Sequence, residues 1–584
     1  MSRNDEVARR LEEFADRLEA TGVEYKPRSY RTAAENVRDH PAAIEDLARE
    51  GREAVAEVEG VGDAISAKVV EYIETGEIAE LEELREELPV DIDALTSVEG
   101  VGPKTVGRLY EALGVEDLDD LEAAAEAGEI RDVSGFGAKT EQNILEGLPF
   151  ARQAHGRELL GEGRPQGERV LAALEAHEVV TDCDLAGSIR RWKPTVGDVD
   201  ILAASDEPAV AVEAFRSLDA IDTVIEAGDQ KASARTEGIR VDLRAVVPAE
   251  FGSALQYFTG SRDHNVALRN RAIDRDLKVN EYGVFDVAAV ADADADHEAD
   301  GQRAGERVAG DTEESMYQAV GLPWIPPELR EGRGEIEAAA AGELPDLVTV
   351  EDVQGDLHVH TDWSDGRATL EEMVAGAEAA GHDYVAVTDH ATGPGMVGGV
   401  GLDGDRLREQ LPVVREADDE ADLEVFAGVE ANIGGDGTVS VADDLLADLD
   451  LVVASPHAGL DGDGTDRLVA ACEHPAVDVI GHPTGRRLNE RAGMDVDVDR
   501  LAAVAAETGT ALEVNANPHR LDLSGAMVRA AVDAGATVAV NTDAHHPDAY
   551  DYLRYGVHTA RRGWAEPGQV LNARDADGVR AVLD

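Results

Sequence analysis

Three carboxylates in the middle of this 584-residue chain have the spacing of a two-metal site. Asp198 and Asp200 lie two positions apart in one apolar segment, and Asp242 lies in a second. Residues two apart on a β-strand face the same side, so the first two carboxylates would point together. Hard oxygen donors of this kind suit two Mg²⁺ or Mn²⁺ ions bridged by a triphosphate, and that chemistry is nucleotidyl transfer.

A turn that precedes these carboxylates could bind the phosphates. Gly187 and Ser188 are followed by Arg190 and Arg191, so the turn offers backbone N–H groups and guanidinium groups to an anion. An Asp-x-Asp pair alone is weak evidence, because exposed carboxylates are common on strands. Joined to the Gly-Ser-x-Arg-Arg turn and a third aspartate, the pattern specifically indicates a nucleotide-binding site.

A second set of metal-ligand residues, rich in histidine, follows later in the chain. Its members are His358, His360, Asp365, His390, Glu430, His457, His482, Asp543 and His545. Imidazole and carboxylate groups suit Zn²⁺ or Mn²⁺, and this set exceeds the three or four protein ligands that one zinc ion takes. The set therefore predicts two or three ions that share a bridging carboxylate. Such ions can polarise a phosphoryl oxygen, which suits phosphoester hydrolysis.

Seven short apolar runs, separated by helix-like sequence, would position the second set. The runs are Gly355–His358, Tyr384–His390, Val425–Glu430, Leu451–His457, Val477–His482, Ala511–Asn515 and Thr537–Asp543. In a barrel of parallel strands, the C-terminal strand ends converge on one mouth. Six of the runs end in or next to a residue of the metal set, and Asn515 ends the other. Five other histidines lack such a placement and are interpreted as ordinary core or surface residues: His382, His474, His519, His546 and His558.

The motifs around the ligand histidines resemble those of the polymerase and histidinol phosphatase (PHP) domain. They are Asp356-Leu357-His358-Val359-His360, Thr388-Asp389-His390, Ser455-Pro456-His457, Gly481-His482-Pro483 and Asp543-Ala544-His545. The resemblance implies a distorted seven-stranded barrel that holds three metal ions. It implies one ion at His358, His360 and Asp543, a second at Asp365, His390 and His545, and a third at His457 and His482, with Glu430 bridging.

The middle of the chain resembles the palm of a family X DNA polymerase. Tyr257-Phe258-Thr259-Gly260-Ser261, followed by Asn265, Arg269 and Asn280-Glu281-Tyr282, resembles the subdomain of that family that selects the nucleotide. The resemblance covers nearly the whole chain, in the domain order of the bacterial and archaeal branch. It implies Asp198, Asp200 and Asp242 as catalytic metal ligands, Ser188, Arg191 and Gly197 as triphosphate ligands, Tyr257, Phe258 and Asn265 as contacts to the incoming sugar and base, and Arg269 as a template-side contact.

This sequence departs from the family pattern at two places. Trp192 stands where many relatives have glycine after the paired arginines, and Arg262-Asp263-His264 precedes Asn265. Both departures concern the selection of the nucleotide rather than the carboxylates of the catalytic site.

Three Gly-x-Gly turns near the N-terminus predict DNA binding without base readout. They are Gly60-Val61-Gly62, Gly100-Val101-Gly102 and Gly135-Phe136-Gly137, and each resembles a helix-hairpin-helix turn. Glycine permits positive φ and lets the amides at a helix N-terminus approach a DNA phosphate. One such turn is equally consistent with a plain helix C-cap, but three, two of them followed by Lys104 and Lys139, favour the DNA contact.

Lys68 lies one turn into the helix after the first of these glycine turns, where its place resembles that of the family's Schiff-base lysine. A desolvated lysine can attack a sugar aldehyde, which would give a 5′-deoxyribose-phosphate lyase. Ala56 and Ala64 stand where animal relatives have phosphate-binding lysines, although Lys26 and Arg31 remain. The alternative is a solvated lysine on a DNA-facing helix, and the sequence leaves both open.

The charge balance is opposite to the usual footprint of a DNA-binding protein. The chain has 122 acidic and 53 basic residues, a formal net charge of −69 and an isoelectric point near 4.4. The excess of acidic residues and the scarcity of lysine and aromatic residues resemble the proteins of halophilic archaea that accumulate salt. At molar salt the Debye length is about 3 Å, so surface repulsion is screened, while counterion release no longer favours phosphate binding.

All lysines of the chain precede residue 279, inside the proposed polymerase half. They are Lys26, Lys68, Lys104, Lys139, Lys193, Lys231 and Lys278. This placement suggests a locally less negative surface that faces DNA. Charge reversal of Lys104 and Lys139 that left DNA affinity unchanged in high salt would contradict this hypothesis.

The sequence predicts a multidomain α and α/β fold, with helical helix-hairpin-helix modules, a mixed-sheet nucleotidyltransferase palm and a C-terminal distorted (β/α) barrel. The predicted boundaries are 1–85 for a DNA-end module, 86–150 for a second hairpin module, 151–247 for the palm, 248–330 for the nucleotide-selecting subdomain, 331–350 for a linker and 351–584 for the PHP barrel. Residues Ala291–Gly301 alternate Ala and Asp and are predicted as a solvated acidic loop.

The sequence gives no indication of export or of a membrane span. Cys183 and Cys472 are too few and too distant in sequence for a disulfide framework, and no apolar run approaches 18 residues. An amphipathic helix follows the first residues directly, where a secretory signal would stand. We therefore expect a cytoplasmic protein, with a monomer as the default.

Together these features predict a DNA-repair polymerase that fills short gaps and processes 3′ ends in its barrel. The barrel activity could be a 3′→5′ exonuclease, a 3′ phosphatase, an abasic-site endonuclease or a mixture. The expected partners are gapped or nicked DNA, deoxynucleoside triphosphates, Mg²⁺ or Mn²⁺ in the palm, and three Zn²⁺ or Mn²⁺ ions in the barrel. Two alternatives stay open: a 3′ end-processing nuclease that uses the polymerase half as a DNA clamp, and a metal-stabilised DNA-binding scaffold without catalysis.

Overall fold

The computed structural model describes residues 3–23, 26–38, 44–58, 60–98, 100–154, 156–287, 303, 305–396 and 400–583. The chain divides into two compact units. One consists of Met1–Arg157 with Asn489–Ala492, and the other of Glu158–Leu488 with Gly493–Asp584. The predicted acidic loop Ala291–Gly301 lies outside the described residues.

The first unit is built from helices. They are α1 (Arg3–Ala20), α2 (Lys26–Arg38), α3 (Ile44–Glu50), α4 (Arg52–Val55), α5 (Asp63–Thr75), α6 (Ala79–Glu87), α7 (Ile92–Thr96), α8 (Pro103–Leu113), α9 (Leu118–Glu126) and α10 (Ala138–Ala154). Apolar residues three and four apart give α1 a buried face that includes Leu11, Phe14 and Leu18. A separate core around Leu109 and Leu121 packs α7 to α10 together. Each predicted hairpin module therefore has an apolar core.

The second unit begins with the mixed sheet of the palm. Its elements are β1 (Glu158–Leu159), α11 (Leu160–Glu175), β2 (Asp182–Leu185), α12 (Gly187–Arg190), β3 (Thr195–Val196), β4 (Val199–Ala204), α13 (Pro208–Arg216), β5 (Thr223–Ala227), β6 (Lys231–Thr236) and β7 (Ile239–Val246). Five strands form a sheet in the order β2-β4-β7-β6-β5, in which β4 and β7 are parallel. Ile201, Val241 and Leu243 lie in the core between this sheet and its helices.

A smaller subdomain of helices and a three-stranded antiparallel sheet follows the palm. Its elements are α14 (Phe251–Thr259), α15 (Arg262–Ile273), β8 (Leu277–Asn280), β9 (Gly283–Asp286), β10 (Glu306–Ala309), α16 (Glu313–Ala319) and α17 (Glu335–Ala341). Leu268, Tyr317 and Ile325 are central to its core. The helix α14 also packs against β4, so this subdomain adjoins the palm site.

The C-terminal part of the second unit is a parallel barrel. Its elements are β11 (Gly355–Val359), α18 (Leu370–Ala380), β12 (Tyr384–Val387), α19 (Gly404–Glu420), β13 (Glu424–Asn432), α20 (Asp443–Leu446), β14 (Leu451–Ser455), α21 (Thr465–Cys472), β15 (Val479–Ile480), α22 (Val498–Thr508), β16 (Ala511–Asn515), α23 (Gly525–Asp533), β17 (Val538–Asn541), α24 (Leu553–Arg562) and α25 (Ala576–Leu583). The seven strands pair in chain order, and a parallel bridge between Val359 and Ala544 nearly closes the sheet. The predicted seven-stranded barrel is therefore confirmed.

Within the described part of the chain, no helix combines the length and the low polarity that crossing a membrane requires. The two cysteines, Cys183 and Cys472, are free and buried. Burial raises the pKa of each thiol to about 12, so both behave as small apolar core residues.

Candidate active sites

The parallel strands bring the histidine-rich set to one end of the barrel. His358 lies within β11 and Glu430 within β13, and His390, His457, His482 and Asp543 lie just after β12, β14, β15 and β17. Parallel strands end on the same side, so residues far apart in sequence meet there. Contacts within 4 Å between ring nitrogens and carboxylate oxygens link all members of the set.

Glu430 lies at the centre of the cluster and is fully buried. Five histidine nitrogens surround its carboxylate: His482 Nε2 at 3.0 Å, His457 Nε2 at 3.3 Å and His358 Nε2 at 3.4 Å from Oε1, and His390 Nδ1 at 2.5 Å and His360 Nε2 at 3.7 Å from Oε2. One carboxylate among several imidazoles is the arrangement expected of a bridging ligand.

Two further carboxylates complete the cluster. Asp365 lies 3.4 Å from His390 Nε2 and 3.4 Å from His545 Nε2, and Asp543 Oδ1 lies 3.2 Å from His360 Nε2. Three groups have ligand atoms close enough to hold one ion each: His360, Asp365, His390 and His545; His358, His360 and Glu430; and His390, Glu430 and His457. The groups share members, so the assignment of ligands to individual ions that the resemblance implies stays a prediction.

Several buried polar atoms of the cluster make no contact with hydrogen-bonding geometry among the residues that the structure describes, although some lie close to an atom of opposite charge. They are His358 Nε2, both ring nitrogens of His360, His390 Nδ1, Glu430 Oε2, His457 Nε2 and His482 Nδ1. A buried polar atom without a hydrogen bond is costly unless something else, such as a metal ion, binds it. The donor set therefore fits divalent ions with nitrogen and oxygen ligands.

Opposite charges inside the cluster shift the pKa of its members. Burial lowers the pKa of His390, but Glu430 and Asp365 prevail and raise it to about 10. Burial, together with His545 and His390, lowers the pKa of His360 to about 3. Burial opposes ionisation of Glu430 as well, yet the facing histidines hold its pKa well below the ordinary value. The carboxylates of the cluster are therefore ionised and ready to bind cations.

Two buried side chains outside the predicted metal set contact histidines of the cluster. Glu513 Oε1 lies 2.7 Å from His358 Nδ1, and Glu513 Oε2 accepts the backbone N–H of His482 at 2.6 Å. Asn432 Oδ1 lies 2.8 Å from His457 Nδ1. Such contacts fix the tautomer and the orientation of an imidazole, so that its other nitrogen is directed at a metal ion.

Glu513 had a signal in the sequence. It is the charged residue of the apolar run Ala511–Asn515, and it shares a strand face with Asn515. A carboxylate inside a fully buried parallel strand requires a buried partner. Asn432 had no comparable signal, because a polar residue at a strand end is common.

In the palm, the parallel pairing of β4 with β7 places Asp200 opposite Asp242, and Asp198 immediately precedes β4. Gly187 lies so close that a Cβ there would be 2.0 Å from Asp200 Oδ2, and its φ of +60° also favours glycine. Arg240 Nε donates to Asp242 Oδ1 at 2.9 Å. Burial, with the charges of the other two aspartates, raises the pKa of Asp200 to about 7. A divalent cation would relieve this repulsion.

The paired arginines of the predicted phosphate turn are bound by the subdomain that follows the palm. Arg190 Nη1 lies 2.8 Å from Glu313 Oε1 and donates to Thr259 Oγ1 at 3.0 Å. Arg191 is buried, and its Nε donates to Glu331 Oε1 at 2.9 Å while its Nη1 donates to the Thr259 carbonyl at 2.6 Å. The turn therefore links the carboxylates of the palm to the Tyr-Phe-Thr-Gly-Ser segment.

The other predicted nucleotide contacts surround the same region. Ser188 is half-buried within α12, and Gly197 is exposed just before Asp198. Tyr257 and Phe258, at the end of α14, are half-buried and pack edge to face, with ring centroids 5.2 Å apart. The contacts of these side chains to a nucleotide stay predictions.

Asn265 and Arg269 lie on α15. Asn265 Nδ2 donates to the Tyr257 carbonyl at 2.7 Å, and its Oδ1 accepts from Gln256 at 2.9 Å, so this amide holds the end of α14 in place. Arg269 is exposed. His264, in one of the two departures from the family pattern, is fully buried between Glu335 at 2.6 Å and the Tyr317 hydroxyl at 3.0 Å. It links α15 to α16 and α17.

The glycine turns of the first unit have the backbone that helix-hairpin-helix turns require. Gly60, Gly100 and Gly135 have φ of +74°, +80° and +87°, in the left-handed region. The second glycines, Gly62, Gly102 and Gly137, stand at the starts of α5, α8 and α10, and a Cβ there would meet no described atom within 4 Å. Lys104 and Lys139, in the first turns of α8 and α10, are exposed. DNA binding by these groups stays a prediction.

Lys68 lies on α5 with its side chain only 12% exposed. Its ammonium group pairs with Glu80 and lies 4.9 Å from the centroid of the Phe14 ring. The residue is therefore more enclosed than the solvated lysine of the alternative interpretation, and the lyase role stays a prediction.

Four family models match the chain. They are a helix-hairpin-helix domain over residues 2–78, a SAM-like helix-hairpin-helix tandem over 92–148, the DNA polymerase beta thumb over 254–331 and the PHP domain over 356–517. The PHP match ends before Asp543 and His545, whose place in the cluster is given by the geometry above.

Three relatives match different shares of the chain. The DNA polymerase/3′-5′ exonuclease PolX of Bacillus subtilis (strain 168) is 34% identical over 586 residues, which cover 99% of both chains. DNA polymerase lambda of Rattus norvegicus is 23% identical over 349 residues, or 56% of each chain. A probable phosphatase of Shewanella sp. (strain MR-4) is 30% identical over 203 residues, which cover 32% of this chain and 75% of that protein.

Proposed function

Because the chain belongs to the family X DNA polymerases that have a C-terminal PHP domain, we propose that it fills short gaps in DNA and trims 3′ ends at two separate active sites. One observation supports this most directly: two metal-ligand sets occupy two different sheets, with Asp200 beside Asp242 in the palm and the histidine cluster around Glu430 in the barrel. The first set suits nucleotidyl transfer and the second suits phosphoester hydrolysis.

In the palm, Asp198, Asp200 and Asp242 would hold two divalent ions, for which we propose Mg²⁺ or Mn²⁺. Bound ions would neutralise the charge of the triphosphate and activate the primer 3′ hydroxyl. The residues of the palm would hold the triphosphate in position. Gly187 lets the α12 turn lie directly against Asp200, so Ser188 and the turn that we propose for the phosphates adjoin the ion-binding carboxylates.

Selection of the incoming nucleotide would use the subdomain after the palm. Tyr257 and Phe258 would contact its sugar and base, and Arg269 the template side. Asn265 holds the end of α14 through the Tyr257 carbonyl, and we propose that it fixes the position of these rings as well as meeting the base. Arg191 would bind the triphosphate from its place beside Thr259.

In the barrel, the nine clustered ligands would hold three ions, for which we propose Zn²⁺ or Mn²⁺. Bound ions supply polarisation of a phosphoryl oxygen and acidification of a water molecule. The surrounding residues of the barrel would keep the ligand side chains in place. Glu513 and Asn432 hold His358 and His457 from behind, which keeps the ligand nitrogens oriented while the DNA end enters and leaves.

The substrate of the barrel would be the 3′ end of the strand that the palm extends. The Bacillus subtilis relative is named a 3′-5′ exonuclease, which favours hydrolysis of the terminal phosphodiester. The Shewanella relative, which matches the barrel, is named a probable phosphatase, which favours removal of a 3′ phosphate as a second candidate activity. Abasic-site cleavage would use the same chemistry on an internal phosphodiester.

Gapped or nicked DNA would be bound without base readout by the helical unit. The N-termini of α5, α8 and α10 present backbone amides next to glycines that would leave room for a phosphate. In molar salt, hydrogen bonds of this kind are screened less than long-range charge attraction. We propose that the protein acts as a monomer in the cytoplasm.

The first test is extension of a 5′-labelled primer on DNA with a one-nucleotide gap, in molar KCl with Mn²⁺. Asp242→Ala should lower primer lengthening about a thousandfold and leave shortening unchanged. His358→Ala should lower shortening about a thousandfold and leave lengthening unchanged. In each variant, the loss of a metal site removes several kcal/mol of transition-state stabilisation. Matched controls are Asp182→Ala on the exposed start of β2 and His474→Ala on the barrel surface, which should leave both activities unchanged.

The same assay separates the alternatives. A chain that only shortens the primer, with Asp242→Ala without effect, would be an end-processing nuclease that uses the palm as a clamp. A folded, metal-loaded chain that neither lengthens nor shortens DNA would be a scaffold. Either result would contradict the proposed function.

A further inference from the structure

A helix of the barrel reaches the phosphate turn of the palm. Arg562, the last residue of α24, is buried, and its Nη1 donates to the Arg191 carbonyl at 2.6 Å and to Glu331 Oε1 at 3.1 Å. The same Glu331 oxygen accepts Arg191 Nε at 2.9 Å. One arginine from the barrel and one from the palm therefore share a single carboxylate.

A second residue of α24, His558, contacts Trp192, which follows Arg191 in the chain. Trp192 has a φ of +55°, in the left-handed region where a non-glycine residue is strained. Its ring stacks on His558 of α24, with centroids 3.6 Å apart and an angle of 6° between the planes, and the Arg164 guanidinium lies 3.4 Å from the same ring. His558 is itself held by Glu328 at 2.6 Å. Barrel contacts thus hold the turn at two successive residues.

The charges at this contact favour a role beyond packing. Burial opposes ionisation of Glu331, yet Arg562 and Arg191 lower its pKa to about 2, so the carboxylate is an anion at neutral pH. Facing Arg191 alone, that anion would neutralise the charge that Arg191 brings to a triphosphate. With Arg562 present, two guanidinium groups share one carboxylate, and one surplus positive charge remains at the turn.

We propose that Arg562, although it belongs to the PHP barrel, is a positioning residue of the polymerase site. It pairs with Glu331 and holds the Arg191 carbonyl, so that the Arg191 guanidinium keeps its place and its charge for the nucleotide triphosphate. The barrel therefore contributes to nucleotide binding in the palm as well as to its own hydrolysis. This inference rests on the proposed polymerase function.

The test is a double-mutant cycle in the full-length chain with Arg562→Met and Glu331→Gln. The readouts are KM and kcat for the complementary deoxynucleotide on one-nucleotide-gapped DNA. Arg562→Met should raise KM about tenfold, the effect of losing a hydrogen bond between charged groups, with little change in kcat. Adding Glu331→Gln should return KM to within about threefold of the unsubstituted value, because the competing anion is gone.

A matched control distinguishes positioning from general docking of the barrel. Arg554→Met removes another ion pair between α24 and the palm, the one with Glu168 at 3.0 Å, but leaves the contacts of Arg191 and Glu331 in place. Glu168 keeps its pair with Arg164, the side chain that lies on the Trp192 ring. Arg554→Met should leave the nucleotide KM unchanged. The 3′ shortening activity, measured on every variant, should stay close to that of the unsubstituted chain.

Three outcomes would overturn the proposal. They are an unchanged KM in Arg562→Met, an equal rise in KM in Arg554→Met, or a double variant as impaired as the single one. A merely structural role would lower kcat and 3′ shortening as well as raise KM. If the unsubstituted chain itself incorporated no nucleotide while still shortening DNA, the proposed polymerase function would fail, and the positioning role with it.

Discussion

The two metal-ligand sets differ in how their charges are balanced. In the barrel, five histidines surround Glu430, and Asp365 and Asp543 contact further imidazoles, so anions and cationic or neutral rings alternate. In the palm, Asp200 lies opposite Asp242, and the carboxylates repel one another. The balanced charges of the barrel fit ions that stay bound between turnovers. The palm, with fewer ligands, fits ions that arrive with a triphosphate.

The two sets also differ in what holds the ligands. The barrel has an outer layer of buried hydrogen bonds: Glu513 behind His358, and Asp389, which accepts from Thr361 at 2.6 Å and from Gln410. The palm relies on strand register and on the close approach of Gly187. An outer layer keeps a metal site in shape between turnovers. With fewer supporting contacts, the palm site is expected to exchange its ions more readily than the barrel site.

Metal removal should separate the two activities most strongly. After dialysis against EDTA, Mg²⁺ alone should restore gap filling but leave 3′ shortening about a hundredfold or more below the untreated level. The reason is that Mg²⁺ prefers oxygen ligands, whereas the imidazole-rich barrel suits Zn²⁺ or Mn²⁺. Product lengths on one 5′-labelled primer report both activities. Equal recovery of gap filling and 3′ shortening with Mg²⁺ alone would contradict the expected difference between ions that stay in the barrel and ions that arrive with the nucleotide.

Loss of the outer layer should give the next largest effect. Glu513→Ala should lower 3′ shortening about tenfold to a hundredfold and reduce the metal content after dialysis, because His358 loses its orienting partner. Gap filling should not change. Both quantities are measured on the same preparation, the metal by elemental analysis.

Glu513→Gln is the matched variant for this experiment. A glutamine oxygen can still accept from His358 Nδ1, but the amide NH2 cannot accept the His482 N–H, so part of the 3′ shortening should return. A Gln variant as inactive as the Ala variant would mean that the hydrogen bond to His358 alone does not support the site.

The regular spacing of the apolar runs makes the barrel predictable from the sequence. The contacts among its side chains are harder to predict. Strand ends such as His390 and Asp543 stand out because parallel strands converge, and six of the seven runs end in or next to a predicted ligand. Glu513 faces the same cluster, but its role depends on a distance to His358 that no local pattern contains. The register that places Asp200 opposite Asp242 is likewise a pairing between distant segments.

The paired arginines show a second reason why a site cannot be derived from a motif alone. The family resemblance predicts Arg191 at the triphosphate, and the structure adds that Glu331 and Thr259 already bind its guanidinium. Trp192 departs from the family pattern, and its ring is enclosed by Arg164 and by His558. From the sequence, His558 is expected to be an ordinary core or surface residue. Its partner lies more than 300 residues away in sequence, so only tertiary packing reveals it.

The smallest expected effect concerns the contact between barrel and palm, which contains no metal ligand. The pKa of Glu331 is lowered to about 2 in the folded chain, despite burial, because Arg562 and Arg191 face it. The ionised carboxylate therefore stabilises the fold above its unfolded pKa of 4.5, and this contribution is lost as pH falls from there toward 2. From about pH 6 to about pH 4, the free energy of unfolding should fall about 1 kcal/mol more in the unsubstituted chain than in Glu331→Gln.

Denaturant titrations in molar KCl with EDTA measure this difference without any contribution from bound metal. Equal pH dependence in the two chains would mean that the palm and barrel are held together by packing alone, and the charge argument for Arg562 would lose its basis.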